Sequence, residues 1–314
     1  MIKIRNYELE IDVMEELEPY EWDKGRPRTG EFTACSPFRS DGSPSFSINT
    51  ETGQWIDFGS SNDLYSKGSL VLLLSFLRSE TPDEVEDYLL EKYGIDLTDV
   101  ETLELNIDLS EVEKPPRIIT LEEYKQYAFK HPYLGTRKIS DKVQRAFKTG
   151  FDRKSKAVAL AWSDVHGNII NVKFRSIKSK QFFYFPDGQQ LRNHIYGLHF
   201  IYKMNCKRVY IVESEIDCLY LWSCGLPCIA LGGSKLSDIR KNLLLRSPIE
   251  TLVIATDNDA VGEEVKQKIV KAAIGHKNLE EVHMPLNVKD VNEMTPEQII
   301  EMDKNATPLG FSFI

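Results

Sequence analysis

Five acidic residues toward the carboxyl end of the chain could do chemistry: Glu213 and Asp217 in VESEIDC, Asp257 and Asp259 in ATDNDA, and Asp290 in VKDVNEM. Carboxylates brought close together repel one another unless a cation sits among them, and hard oxygen ligands select magnesium or manganese. An ion held this way can neutralise charge on a phosphate, lower the pKa of an attacking hydroxyl and hold an in-line geometry. The chemistry expected is metal-dependent phosphoryl transfer, with Glu213, Asp257 and Asp259 at its centre and Asp217 and Asp290 as further ligands. Each residue also has a plainer reading. Asp259 in a DxD after a strand can cap the next helix, and Asp217 can be an ordinary helical residue. Their joint occurrence, in one order along one kind of fold, favours the metal.

That fold is legible in the elements around them. From Arg208 onward the apolar stretches RVYIVE, LPCIALG, TLVIATD and EEVHMPL alternate with the helical patterns SEIDCLYLWSCG, KLSDIRKNLLLR and VGEEVKQKIVKAAIG. Such alternation means βαβ units and a parallel sheet covered on both faces. In these sheets functional groups collect at the carboxyl ends of the strands. Glu213 ends the first strand, Asp257 and Asp259 end the third, and Asp290 follows the last.

Upstream, residues 118–207 read as an α+β unit, with helices at 121–130 and 140–147 and strands at 157–163, 168–175 and 181–185. Between Asp96 and Glu113 lie seven acidic residues, followed by Pro115 and Pro116. This is the composition of a linker, placed at 96–117. Residues 1–95 form a first domain of short strands and turns ending in two helices. The second of these is capped by Thr81, starts at Pro82 and stops at Gly94. The expected organisation is thus a first domain (1–95), a linker (96–117), an α+β subdomain (118–207) and a parallel α/β domain (208–314).

The 314 residues are 41% hydrophobic, enough to bury two or three cores. No apolar run approaches the ~20 residues that span a bilayer, and the start MIKIRNYELEID lacks the order of a secretion signal, so a cytoplasmic protein is expected. The five cysteines include no CxxC pair, which indicates neither a disulfide framework nor a zinc knuckle. A net charge of −9 excludes broad attraction to polyanions, so any nucleic acid must be gripped locally. The concentration of cations from Lys173 to Arg192 offers such a grip. Arg175, Lys178, Lys180 and Arg192 are the candidates for binding a nucleotide triphosphate and template, with Lys173 and Lys235 as further ones.

The acidic pattern resembles the TOPRIM domain shared by bacterial primases, topoisomerases, some nucleases and recombination proteins. The resemblance implies that Glu213 acts as general acid or base and metal ligand, and that Asp257 and Asp259 bind metal. Asp217 matches the acidic position after the glutamate in primases. Where the family's last motif has a second aspartate this chain has Asn292. The Lys-Asp-x-Asn-Glu form is similar to that of phage primase-helicase proteins. YLGTRKISDKVQRAFKTGF (133–151), AWSDVHGNIINVKFRS (161–176) and NHIYGL (193–198) resemble DnaG-type primases in family order. Together these imply a metal-dependent enzyme that makes RNA primers on single-stranded DNA from ribonucleoside triphosphates. The readings kept beside it are a TOPRIM-type nuclease using the same carboxylates, and a noncatalytic replication accessory.

SPFRSDGSPSFSI (36–48) and WIDFGSSNDLYSKGSLVLLLSFL (55–77) resemble the primase zinc-binding domain, whose ligands follow Cys-Pro-Phe-His and Cys-Phe-Gly-Cys. Here Ser36, Arg39, Asp57 and Ser60 stand at the four ligand positions, and Cys35 is one residue out of place. Asp, Ser and Arg do not supply the donors of a structural zinc, so no zinc is expected. The GxxxxGK[ST] phosphate loop is absent, and the comparison with bacterial primases implies a separate replicative helicase and a phage or mobile-element origin.

Overall fold

The computed structural model describes residues 1–39, 41–59, 66–78, 80–94, 116–179, 181–233, 235–285 and 288–309. They divide into two compact units, Met1–Arg117 with Ser179–Gln181, and Ile118–Lys178 with Phe182–Ile314. The stretch expected to be a linker lies outside the described residues as far as Pro115.

In the first unit, β1 (Ile2–Ile4) and β2 (Tyr7–Leu9) form a hairpin, followed by α1 (Val13–Leu17), which Asp12 caps. A five-stranded antiparallel sheet then forms in chain order from β3 (Arg26–Arg28), β4 (Glu31–Ala34), β5 (Phe46–Asn49), β6 (Trp55–Asp57) and β7 (Lys67–Gly68). Two helices close the unit, α2 (Leu70–Arg78) and α3 (Pro82–Tyr93). Thr81 and Glu84 cap each other's backbone at the start of α3, with Pro82 at its first position, as the sequence leads one to expect. Leu70, Leu73 and Leu74 of α2 pack with Phe38, Phe46, Ile48 and Trp55 into one core.

The second unit opens with α4 (Leu121–Lys125), α5 (Tyr133–Thr136) and α6 (Asp141–Ala146). The helix expected over 121–130 ends early because the Tyr127 carbonyl turns away to accept the Phe151 N–H at 2.8 Å. Four antiparallel strands follow: β8 (Gly150–Asp152), β9 (Ala157–Ser163), β10 (Ile169–Ser176) and β11 (Phe182–Tyr184). β9 is buried on both faces because its side chains alternate. Ala157, Ala159 and Ala161 face a small core with Ile119, Tyr124 and Phe174, while Val158, Leu160 and Trp162 face a larger one.

The remaining elements alternate: α7 (Leu198–Met204), β12 (Arg208–Val212), α8 (Glu215–Ser223), β13 (Cys228–Ala230), α9 (Asp238–Arg246), β14 (Thr251–Ile254), α10 (Ala260–Ala273), β15 (Asn278–Glu281), α11 (Pro296–Lys304) and β16 (Thr307–Pro308). They build a sheet of order β13-β12-β14-β15-β16, parallel except for the last pair. The strand expected at 280–286 is shifted to Asn278–Glu281, because its ladder with β14 runs from Thr251↔Asn278 to Ile254↔Glu281 and stops where β14 stops. α8 is buried almost all round, as its apolar sequence requires. Its Ile216, Leu219 and Leu221 join Val158, Leu160 and Trp162 of one sheet to Tyr210 and Val212 of the other. The two sheets therefore share one core within one unit. No helix among the described residues is long and apolar enough to cross a membrane.

Candidate active site

β12 and β14 lie side by side in parallel, with Ile211 opposite Ile254, so their carboxyl ends stop level. The chain leaves β12 toward β13 on one flank and returns to β14 on the other. Where two crossovers part in this way a crevice opens beyond the strand ends. Glu213 directly follows β12. The Asp257 N–H, past the end of β14, donates to Glu213 Oε1 at 3.0 Å.

Burial pushes the Glu213 carboxyl above its ordinary range, the Asp257 amide opposes this, and Asp259 and Asp217 add to it. Asp257 is pushed up to about 7 by burial, then by Glu213 and Asp290, against the pull of Lys289. Among the described residues nothing donates a hydrogen bond to the Asp257 carboxylate; the residue meets Glu213 through its backbone N–H alone.

Asp217 lies in the first turn of α8, where Ser214 is the cap. The Ser214 hydroxyl accepts from the Asp217 N–H and donates to the Asp217 carboxyl. Burial, and after it Asp290, drives Asp217 up to about 7 despite that hydroxyl and the Asn292 amide. Asp290 caps the short 3-10 turn Val291–Glu293 by accepting from the Glu293 N–H at 3.1 Å.

Asp259 is placed differently. Its Oδ1 accepts from the Gly262 N–H at 2.9 Å and caps α10, and its Oδ2 lies 3.1 Å from Lys289 Nζ. Burial acts to raise this group, yet the Gly262 amide and the Lys289 ammonium hold it below the usual carboxylate range. The capping role open to a DxD aspartate is thus realised at Asp259. The turn depends on Gly262, where a Cβ would sit 1.9 Å from the Asp257 carbonyl oxygen.

The five carboxylates therefore share one edge and feel one another's charge. Yet among the described residues no three His, Cys, Asp or Glu side chains are gathered into a cage for a metal. The donor chemistry still fits a hard divalent ion. Magnesium keeps several of its waters and is commonly held by one or two carboxylates together with substrate phosphates, which asks for no closed cage. The half-buried Asp257 carboxylate without a donor, beside a Glu213 raised by burial, is the position that calls for a cation.

The expected cations are distributed unevenly. Arg175 lies near the end of β10, with a buried Nε that has no hydrogen-bond partner among the described residues. Lys178 is exposed just beyond, and Lys180 is outside the described residues. Arg192 sits half-buried in the 3-10 turn Leu191–Asn193, and Lys235 half-buried ahead of α9. Lys173 is a different case. It is buried, 3.2 Å from Glu215 Oε1, and donates to the Gly232 carbonyl at 3.2 Å. Glu215 also accepts from Trp162 Nε1 at 3.1 Å. Lys173 is thus an internal counter-ion and not a free ligand for phosphate.

Three residues that sequence reasoning left out of the site border it. Lys138 Nζ donates to the carbonyls of Asn292 at 3.1 Å and Met294 at 2.8 Å, holding the turn that begins at Asp290. Asn292 Nδ2 donates to the Arg137 carbonyl at 2.8 Å, so the residue in place of the family's second aspartate works as a clamp. Lys289, adjacent to Asp290, is the cation of the site. The only signal for these residues was their place inside the quoted motifs.

A family model described as Toprim-like matches residues 210–295. A DNA primase of Mycoplasma genitalium is 24% identical over 238 residues, which cover 69% of this chain and 38% of that protein. The chain thus spans well under half the length of that curated relative. The crystal structure of the Aquifex aeolicus primase, comprising its zinc-binding and RNA polymerase domains, superposes with a TM-score of 0.50 at 19% identity, over 96% of this chain and 84% of that one. A DnaG primase catalytic domain bound to single-stranded DNA gives a TM-score of 0.50 at 18% identity, over 59% of this chain and 77% of that one. The resemblance to DnaG-type TOPRIM primases read from the motifs is borne out, and the mixed α/β architecture matches theirs.

Proposed function

We propose, from the DnaG-type primase fold that the chain carries, that it is the catalytic part of a DNA primase, joining ribonucleotides into short primers on single-stranded DNA with magnesium or manganese. The observation that carries this reading is the pairing of Glu213 with Asp257 beyond the carboxyl ends of β12 and β14, where a half-buried carboxylate lacks any donor among the described residues. Glu213, Asp257 and Asp259, with Asp217 and Asp290 nearby, are the residues that would hold the metal. When bound, a divalent ion there supplies charge neutralisation on phosphate and acidifies the attacking hydroxyl.

The chain's own residues do the rest. Glu213, raised by burial and so a stronger base than a free glutamate, is suited to take the proton of a primer 3′ hydroxyl. Lys138 and Asn292 fix the turn from which Asp290 projects. Arg175, Lys178, Lys180, Arg192 and Lys235 bind triphosphate and template, so that positioning and electrostatics lower the barrier. Lys289 screens Asp259 until a nucleotide or metal arrives. A separate helicase that exposes the template, and a phage or mobile-element source, belong to the same reading.

The test is primer synthesis on several single-stranded templates with ribonucleotides and either metal. Asp257→Ala should lower product formation by ~100-fold or more, the scale on which pre-organised charge acts. No product on any template, or an Asp257→Ala variant equal to the parent, overturns the proposal. Asp257-dependent cleavage of labelled DNA without nucleotides would replace it by a nuclease.

A further inference from the structure

The N-terminal unit shares its fold with a zinc-binding primase, yet its ligand positions hold the wrong chemistry for zinc. A guanidinium has no lone pair to donate, and a serine hydroxyl is a poor substitute for thiolate. We propose that an ion-pair cluster centred on Arg39 takes the cross-linking place of a structural zinc, so that this unit holds its fold without a metal. The inference is independent of the catalytic reading above.

A structural metal in such a module ties together two turns that are distant in sequence. Here Ser36 and Arg39 stand on one turn and Asp57 ends β6 where the other turn begins, and their side chains meet. The Ser36 hydroxyl donates to Asp57 Oδ2 at 2.6 Å, and Arg39 Nη1 pairs with the same oxygen. Asp57 Oδ1 accepts from the Gly59 N–H at 3.1 Å and lies 3.0 Å from the Ser45 hydroxyl. Arg39 Nη2 bonds Asp41 Oδ2 and Ser45 Oγ, both at 2.7 Å. The Phe38 N–H in turn donates to Ser36 Oγ at 3.2 Å.

The Asp57 side chain is 0% exposed, so its charge must be fully answered inside the protein, and Arg39, Ser36 and the Gly59 N–H donate to it, while the single proton of the Ser45 hydroxyl is shared between Asp57 and Asp41. Burial would raise the Asp57 carboxyl, but Arg39, Ser36 and Ser45 together bring it below its ordinary range. The space is also filled. A Cβ at Gly59 would lie 2.1 Å from Arg39 Nη2, so the guanidinium occupies the gap between the turns up to the backbone. The aromatic shell is kept around it, with Phe38 centred 5.0 Å from Trp55 and 4.8 Å from Phe76.

Such a cross-link differs from zinc in what breaks it. It is indifferent to chelators and has no thiolate to oxidise. Because the folded-state carboxyl of Asp57 is lowered, its contribution is present above the ordinary aspartate range and is lost as acid protonates it.

The experiment uses the full chain, expressed with added zinc. Metal content is measured by mass spectrometry, and hydrogen exchange is followed in peptides spanning the two turns. The expected results are zinc far below one per chain, exchange unchanged by excess EDTA, and exchange faster by about tenfold or more in both turns of Arg39→Met. Combining Ser36→Cys, Arg39→His, Asp57→Cys and Ser60→Cys should yield a protein that binds one zinc and loses protection with EDTA. Stoichiometric zinc in the parent, EDTA-induced exchange, an Arg39→Met variant as protected as the parent, or a fourfold variant that folds without taking up zinc overturns the proposal. Should Arg39→Met not fold, the metal content and EDTA measurements on the parent still decide it.

Discussion

Replacing Asp217 by asparagine should stabilise the metal-free protein, and by an amount that depends on pH. Asp217 is buried at the start of α8, and burial and Asp290 place its carboxyl at about 7 instead of the model-peptide 3.8. A folded-state value above the unfolded one means that the native state holds the proton more tightly. Stability is therefore fully present below about 4, falls as pH rises through the window from 4 to 7, and levels off above it. Asparagine keeps the shape and carries no such proton. At 1.36 kcal/mol per pH unit, the gap from 3.8 to about 7 gives the variant an advantage of about 4 kcal/mol at pH 8, against about 1–2 kcal/mol at pH 5. For a unit of this size, the difference of 2–3 kcal/mol between the two pH values corresponds to roughly 5–10 °C in Tm. Thermal and urea unfolding in EDTA, followed by circular dichroism, measures it, and hydrogen exchange of α8 amides assigns the transition to the second unit. An equal gain at pH 5 and pH 8, or a variant less stable than the parent at pH 8, refutes the reasoning.

The other predictions concern residues around the same edge. Gly262→Ala should cost about 2–3 kcal/mol and weaken manganese binding, because its Cβ would meet the Asp257 carbonyl at 1.9 Å; calorimetry and urea unfolding check both. Lys289→Met should tighten manganese binding about two- to fivefold at low salt, since an exposed ammonium 3.1 Å from Asp259 is worth under about 1 kcal/mol. Weaker binding would show that Lys289 supports the metal instead of competing with it. Lys173→Met should cost about 3–5 kcal/mol by leaving Glu215 buried and unpaired, and adding Glu215→Gln should recover much of the loss. A double variant as unstable as the single one would show that the packing of Lys173, and not its charge, matters.

Much of this molecule is written locally. The alternation of RVYIV, TLVI and the helices between them determines a parallel sheet, because side-chain periodicity depends on neighbours only a few residues away. The caps at Thr81, Ser140 and Ser214 are local for the same reason. A strand that ends at Val212 places Glu213 on the carboxyl edge whatever surrounds it. Where an element's end depends on a distant strand, local reading slips, as at Asn278–Glu281, whose limits are set by β14.

Partners were decided by the tertiary structure. Lys173 and Arg175 look equivalent in NVKFRS, two residues apart on one strand. Burial beside Glu215 makes the first an internal counter-ion, while the second keeps an Nε unpartnered among the described residues. Asp257 and Asp259 look like a matched pair, yet the turn gives Asp259 the cap and Lys289, and leaves Asp257 beside Glu213 with no donor to its carboxylate among the described residues. Ser36, Arg39 and Asp57 read as the loss of a metal site until their side chains are seen to meet. What a charged group does once removed from water depends on which opposite charge or donor lies within a few ångströms. That is a property of chain segments brought together by folding, 44 residues apart at Glu213 and Asp257 and 154 apart at Lys138 and Asn292.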